Sequence, residues 1–267
     1  MKNNHPTPFP QVDAILLELT ESVQAVLGQH LIGMYLEGSL ANGNFDEDSD
    51  IDFVVVTDVE ITERNFFSAL SAMHERIAVI DSPWAVELEG SYISKQAVRR
   101  YNPAKALHPN IERGRGERLK LADHNEVWNV HRYSLRERGI TILGPDLKTL
   151  IDPVTPNELR QAMFPALNDW ATHLLAHPEE IRHRGYQSYI VLTLCRILYT
   201  LEVGDVVSKL KSASWAKDVV GEKWKPLIES AWEGRHHSQI PPDGDEIRQT
   251  QDFIKYMLEY SQQRYSG

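Results

Sequence analysis

Only one cysteine, Cys195, occurs among the 267 residues. No internal disulfide can form, and its place inside the apolar run VLTLCRILY makes it a packed small hydrophobe. A long apolar run is also missing: nothing approaches the roughly 20 residues that cross a bilayer. The opening MKNNHPTPFPQ has no signal-peptide core. These absences predict a cytoplasmic protein with no membrane partner. A basic excess is lacking as well. Asp and Glu number 38 against 28 Lys and Arg, a net charge of −10. Residues 1–150 hold 22 acids against 15 bases and residues 151–267 hold 16 against 13, so neither part offers the cationic face of a general nucleic-acid binder. No nucleic-acid partner is expected, and the acidity favours small cations weakly. A P-loop G-x-x-x-x-G-K-[ST] is absent, as are Cys/His spacings for structural zinc, internal repeats and low-complexity segments. The charged share of 25% and hydrophobic share of 42% are otherwise those of an ordinary globular chain.

What is present centres on Leu36 to Asp58, LEGSLANGNFDEDSDIDFVVVTD. An apolar run from Leu31 to Leu36 predicts a buried strand. The chain then turns through Gly38, Ser39 and Gly43, crosses an acidic loop, and enters a second strand at Asp50-Ile51-Asp52. Side chains alternate along a strand, so Asp50 and Asp52 share a face. Two adjacent carboxylates at the mouth of a buried strand repel each other, and a divalent cation is the usual reason to keep them. The Gly38-Ser39 turn offers backbone N–H groups and a hydroxyl suited to a polyphosphate.

Around this stretch the elements fall into two groups. Residues 1–10, with three prolines, predict a loose arm. A helix is expected from Gln11 to about Gly28, another from Thr62 to about Ile77, and a third strand over Trp84 to Ser94. A short helix follows at 95–100. Residues 101–121, with two prolines and two glycines, predict a long loop. Its Arg113, Arg115 and Arg118 are either solvated or turned toward phosphates. A helix is expected from Asp123 to Arg138, with Val127, Val130, Tyr133 and Leu135 inward and Trp128 and His131 packing. A short strand spans Ile140 to Leu143. Beyond Ile151-Asp152-Pro153 strand signals nearly vanish. Helices are expected at 156–177, 186–203, 206–217, 220–233 and 245–262, with His236-His237 in a solvated loop. The fold class is therefore α+β, with domains at 1–153 and 154–267. Within the third strand, Glu87 and Glu89 are expected on one face, and a carboxylate on an apolar strand is costly without a partner.

Gly38-Ser39, Gly43 and Ser49-Asp50-Ile51-Asp52 resemble the signature of the polymerase-beta-like nucleotidyltransferase superfamily: a Gly-Ser turn, about ten residues, then D-x-D opening a strand. More narrowly, Leu88-Glu89-Gly90-Ser91-Tyr92-Ile93, Ile142-Leu143-Gly144-Pro145, Ile151-Asp152-Pro153-Val154 and Val191 to Tyr199 are similar to the aminoglycoside nucleotidyltransferases of the streptomycin/spectinomycin adenylyltransferase type. The resemblance implies a nucleotidyltransferase domain followed by a helical substrate- and nucleotide-clamping domain. It implies adenylate transfer from ATP to a hydroxyl of a small molecule, plausibly an aminoglycoside, with release of pyrophosphate. Asp50, Asp52 and Glu89 would hold two magnesium ions, with Glu89 the catalytic base. Gly38, Ser39, Ser49, Arg196 and Lys209 would bind the nucleotide, and Glu87, Trp170 and Tyr186 the acceptor. The segment His183-Arg184-Gly185-Tyr186 departs from the family's acidic and aromatic acceptor-binding pattern, and Arg184 there would repel a cationic acceptor. A protein or other non-antibiotic acceptor and a non-catalytic nucleotide-binding protein are the alternatives. A monomer or weak dimer is expected.

Overall fold

Strand alternation and helical spacing both find their place in the computed structural model, which describes residues 6–181, 183–242 and 244–265, with the backbone alone for His237. Part of the expected N-terminal arm, residues 1–5, lies outside the described residues. The chain divides into two compact units, Met1–Pro153 and Val154–Gly267.

The first unit holds α1 (Pro10–Leu27), β1 (Leu31–Leu36), α2 (Gly38–Asn42), β2 (Ile51–Thr57), α3 (Phe67–Ile77), β3 (Leu88–Ser94), α4 (Lys95–Arg99), β4 (Leu107–Ile111), β5 (Lys120–Asp123), α5 (Asn129–Arg138), β6 (Ile140–Leu143) and α6 (Leu147–Leu150). Its six strands form one sheet in the order β5-β4-β3-β2-β1-β6. Only β2 and β3 pair in parallel, and a parallel pair requires a crossover, which α3 supplies. Alternate residues then face two apolar layers. Phe53, Val55 and Tyr92 pack with Val12 and Leu16 of α1 and Leu70 and Met73 of α3. Val54, Val56 and Ile93 pack with Ala97, Leu135, Leu147 and Leu150 of α4, α5 and α6.

Four expectations need correction. The Gly38-Ser39 turn is a single helical turn, closed at Gly43 in the left-handed conformation. The helix expected from Thr62 begins only at Phe67, because Asn65 Oδ1 accepts the N–H groups of Thr62 and Phe66 and holds a turn there. The strand expected from Trp84 begins at Leu88: Ser82 caps a short 3₁₀ turn over Pro83–Val86, a start that Ser-Pro favours. Glu87 therefore stands just before the strand, as the C-terminal cap residue of that turn. Finally, residues 101–121 are no long loop but contain the β4–β5 hairpin. Pro109 disguised it. Proline is tolerated there because the β3–β4 pairing covers only Ile111 and Asn110, so its missing N–H breaks no ladder on that side. On α5 the inward residues include Arg132 in place of Val130 and Tyr133. The Arg132 guanidinium donates to the Ala97 carbonyl at 2.9 and 3.3 Å. It lies 5.0 Å from the Trp128 ring, and burial draws its pKa down to about 10.

The second unit is helical: α7 (Pro156–Ala176), α8 (Arg184–Val203), α9 (Lys209–Val219), α10 (Lys225–Gly234) and α11 (Gly244–Tyr265). Thr155 and Glu158 form a capping box at the start of α7, worth about 1 kcal/mol. The apolar α8 is central and touches all four other helices. Cys195 is buried within it, and burial pushes its thiol up to about 12. Among the described residues no helix is long and apolar enough to cross a membrane.

Candidate active site

The parallel pair β2–β3 brings the acids together. Its register sets Asp52 opposite Glu89 and Phe53 opposite Gly90, so the two carboxylates leave the sheet as neighbours at the start of both strands. Asp50 precedes β2 by one residue. Because β1 runs antiparallel, it ends where β2 begins, with Leu36 opposite Phe53. The Glu37 N–H donates to the Asp52 carbonyl at 3.1 Å. The Gly38-Ser39 pair is thereby delivered to the acid end of the sheet.

Gly38 has φ +62, and a Cβ there would run into the Asp52 carboxylate. Both facts demand glycine. Ser39 Oγ is buried with no hydrogen-bond partner. An orphaned buried hydroxyl beside clustered acids is costly unless a ligand completes it. Ser49 is differently employed. Its hydroxyl donates to Asp46 Oδ1 at 2.7 Å and accepts the Asp46 N–H at 3.0 Å, so it braces the acidic loop ahead of β2.

Burial raises the pKa of Glu89, and the Asp50 charge raises it further; Arg113, more weakly, opposes them. Glu87 is also raised by burial, against the pull of Arg113. Arg113 lies on the β4–β5 connection, with Nε 3.7 Å from Asp50 Oδ2 and Nη1 3.6 Å from Glu87 Oε2. Arg118 faces Glu75 instead. Among the described residues, one oxygen from each of Asp50, Asp52 and Glu89 does not fall within 4.8 Å of the others. The trio stands open, with a guanidinium against one member. Three hard carboxylate oxygens, one of them raised by a neighbouring charge, and an unsatisfied hydroxyl fit a magnesium-like cation better than a softer metal.

Sequence reasoning missed Glu37 and the role of His131. His131 Nδ1 lies 3.0 Å from Glu37 Oε1. Its charge, when protonated, lowers the Glu89 pKa, the smallest of the contributions there. His131 is thus more than packing, whereas Trp128 is buried and stacked between His124 and His131, as expected. A carboxylate at the last buried position before the Gly-Ser pair was the available signal.

In the second unit Arg196 is half-buried on α8; its carbonyl accepts the Thr200 hydroxyl at 3.0 Å, and its side chain makes no hydrogen bond or ion pair among the described residues. Lys209 opens α9, its Nζ 5.5 Å from the Tyr189 ring. Tyr189 also gathers the expected acceptor residues: Tyr186 stacks on it at 6.0 Å and Trp170 meets it edge-on at 6.1 Å. Burial and then Glu180 raise the Tyr186 pKa, while a hydrogen bond with the Trp170 side chain opposes them. Arg184 is not a bare repelling charge, because it pairs with Glu246 at 2.6 Å.

Two family models match this chain. One, a nucleotidyltransferase domain, covers residues 18–100. The other, the C-terminal domain of aminoglycoside adenylyltransferase, covers residues 149–260. A spectinomycin 9-adenylyltransferase of Staphylococcus aureus is 24% identical over 225 residues, spanning 82% of this chain and 83% of the relative. An aminoglycoside (3'')(9) adenylyltransferase of Escherichia coli is 25% identical over 263 residues, spanning 91% and 96%. A crystal structure of spectinomycin adenyltransferase from Enterococcus faecialis with ATP and spectinomycin aligns with a TM-score of 0.72 at 18% identity, covering 92% of this chain and 98% of that one. The last is a likeness of fold. The resemblance read from the sequence is matched in both parts of the chain, by a nucleotidyltransferase-domain model in the first and an aminoglycoside-adenylyltransferase C-terminal model in the second, and the fold is α+β with a helical C-terminal unit.

Proposed function

We propose that this chain transfers adenylate from ATP to a hydroxyl of an aminoglycoside-type small molecule and releases pyrophosphate. The observation that carries this reading is the in-register pairing of Asp52 with Glu89 beside Gly38 and the unpartnered Ser39 hydroxyl. Family relatives named for the same transfer on spectinomycin and aminoglycosides support it.

Asp50, Asp52 and Glu89 would hold magnesium, which when bound neutralises the triphosphate. Glu89, raised above an ordinary carboxylate by burial and Asp50, takes the proton of the acceptor hydroxyl. The acceptor oxygen bonds to the α-phosphorus, the bond from that phosphorus to the bridging oxygen breaks, and pyrophosphate leaves with the electron pair. Ser39 Oγ and the backbone of Gly38 receive phosphate oxygens. The resemblance assigns Arg196 and Lys209 of the second unit to nucleotide binding, and paired cations suit a polyphosphate. Ser49 acts indirectly, by bracing the loop that presents Asp50. Trp170, Tyr186 and Tyr189 offer flat faces to a sugar or cyclitol ring. The absence of any membrane-crossing helix among the described residues accords with action on a dissolved acceptor in the cytoplasm.

The test is pyrophosphate release from ATP with a panel of hydroxylated aminoglycosides and aminocyclitols, with magnesium and with chelator. Release with at least one such acceptor, abolished by chelator, is the expected result. Nucleotide-dependent thermal stabilisation with no release on any acceptor would overturn the acceptor class. No stabilisation by any nucleotide would favour a non-catalytic protein on this fold.

A further inference from the structure

The acid end of the sheet gathers Asp50, Glu87 and Glu89; burial first, and then the charge of Asp50, raises the pKa of both glutamates. One cation of the same unit faces them. The β4–β5 connection is tied to the approach of β3 by a hydrogen bond from the Gly114 N–H to the Val86 carbonyl at 2.7 Å. This tie carries Arg113 over the acids. Of the other bases on this connection, Lys120 pairs with Glu112 at 2.8 Å and Arg118 with Glu75 at 4.0 Å, while Arg115 makes no ion pair among the described residues.

The hold of Arg113 is loose. Its guanidinium is 3.7 Å from Asp50 and 3.6 Å from Glu87, beyond the 2.7–2.9 Å range of charge-assisted hydrogen bonds. Its one hydrogen bond, to the Asp48 carbonyl, measures 3.4 Å. Nearly half of its side chain is exposed. A closely forked pair would compete strongly with any ion for Asp50, and an empty acid cluster would repel itself. A loose, part-solvated arginine avoids both.

We propose that Arg113 is a built-in counter-cation: it neutralises Asp50 and Glu87 in the ion-free protein and releases Asp50 when a divalent cation takes that carboxylate. The proposal rests on reading the site as a metal-dependent nucleotidyl-transfer centre. It adds a residue that sets the affinity of that centre without touching the reacting atoms.

The experiment titrates manganese chloride, without nucleotide, into chelator-treated wild type, Arg113→Gln and Arg113→Lys, reading heat of binding and melting temperature. Arg113→Gln should melt lower than wild type in chelator and bind the ion about two- to fivefold more tightly, the scale of one part-exposed ion pair. The difference in melting temperature should close at saturating ion, and Arg113→Lys should fall between. If Arg113→Gln does not fold, Arg113→Lys, which keeps the charge but not the fork, carries the same comparison. Equal ion affinity with a melting gap that persists in manganese would make Arg113 a loop brace and overturn the proposal. Weaker ion affinity in Arg113→Gln would also overturn it. A wild type that responds to no divalent cation, with or without ATP, would sink the metal-centre reading itself. Failure there differs from a wild type that responds just as its variants do.

Discussion

The acid end of the first unit and the aromatic cluster of the second are built by different means. Backbone decides the first. Parallel register sets Asp52 against Glu89, the antiparallel end of β1 delivers Gly38, and a positive φ beside a carboxylate admits glycine alone. Side chains decide the second. Tyr186 on α8 stacks on Tyr189, Trp170 on α7 meets it edge-on and Lys209 on α9 approaches its ring, and Tyr189 is 45% exposed. A backbone-built site is altered by few substitutions without loss. A cluster of part-exposed rings on helices can be changed one residue at a time. Under the proposed function, the chemistry is then held fixed by strand pairing, while selection among acceptors is open to substitution.

The sharpest test removes an acid. Asp50→Asn should cut pyrophosphate release by about a thousandfold, the scale for loss of a charge placed against a developing phosphoryl transition state. It should fold normally. Relief of repulsion with the glutamates and loss of the Arg113 contact act in opposite directions, so melting in chelator should barely change. Near-normal turnover would break the comparison by showing that backbone placement of this carboxylate is not what counts.

Next in size is the contrast between two neighbouring glutamates. Glu89→Gln should lower turnover by about a hundredfold or more, as for loss of a general base, with ATP affinity little changed. Glu87→Gln should cost less than about fivefold, because it removes one part-exposed ion pair with Arg113. If Glu87→Gln is the inactive variant, the in-register pairing is not the functional one.

Much of this arrangement was legible beforehand, and what was not has identifiable causes. The strand at Leu31–Leu36 and the central apolar helix could be read because each buries a continuous run, and Ile140–Leu143 because it is a short apolar run ending in Gly144-Pro145. Asp50, Asp52 and Glu89 were found from spacing and resemblance. The β4–β5 hairpin was missed because Pro109 argues against a strand, and only the pairing partner explains why it is harmless. Glu87 was placed on the strand because alternation alone cannot show where Ser82 and Pro83 impose a 3₁₀ turn. The contacts of Arg113 with Asp50 and of His131 with Glu37 span 63 and 94 positions of sequence, and no local pattern announces such pairs.

On the other side of the comparison, Tyr189→Ala and Trp170→Ala should raise the KM for the acceptor about three- to tenfold, the value of a lost aromatic contact. The KM for ATP should hold. An increase in the ATP KM alone would mean that the rings serve the nucleotide and that the division between fixed chemistry and adjustable selection lies elsewhere.

The smallest effect concerns stability. Burial and Asp50 raise the Glu89 pKa above the ordinary 4.5, so the folded protein bears a cost whenever Glu89 is ionised. Above the folded pKa the group is charged in both states, and that cost is fully present. Below the unfolded pKa it is protonated in both states, and the cost is gone. Without divalent cation, Glu89→Gln should therefore melt a few degrees above wild type at neutral pH. The gain should shrink as pH falls through the raised pKa and vanish below about 4.5, the unfolded value. Thermal melts across that range, in chelator, check it. A gain independent of pH would show that packing of the amide, and not the buried charge, accounts for the difference. In that case the burial that makes Glu89 a base would carry no measurable cost, and the acid end would be held less rigidly than its strand register implies.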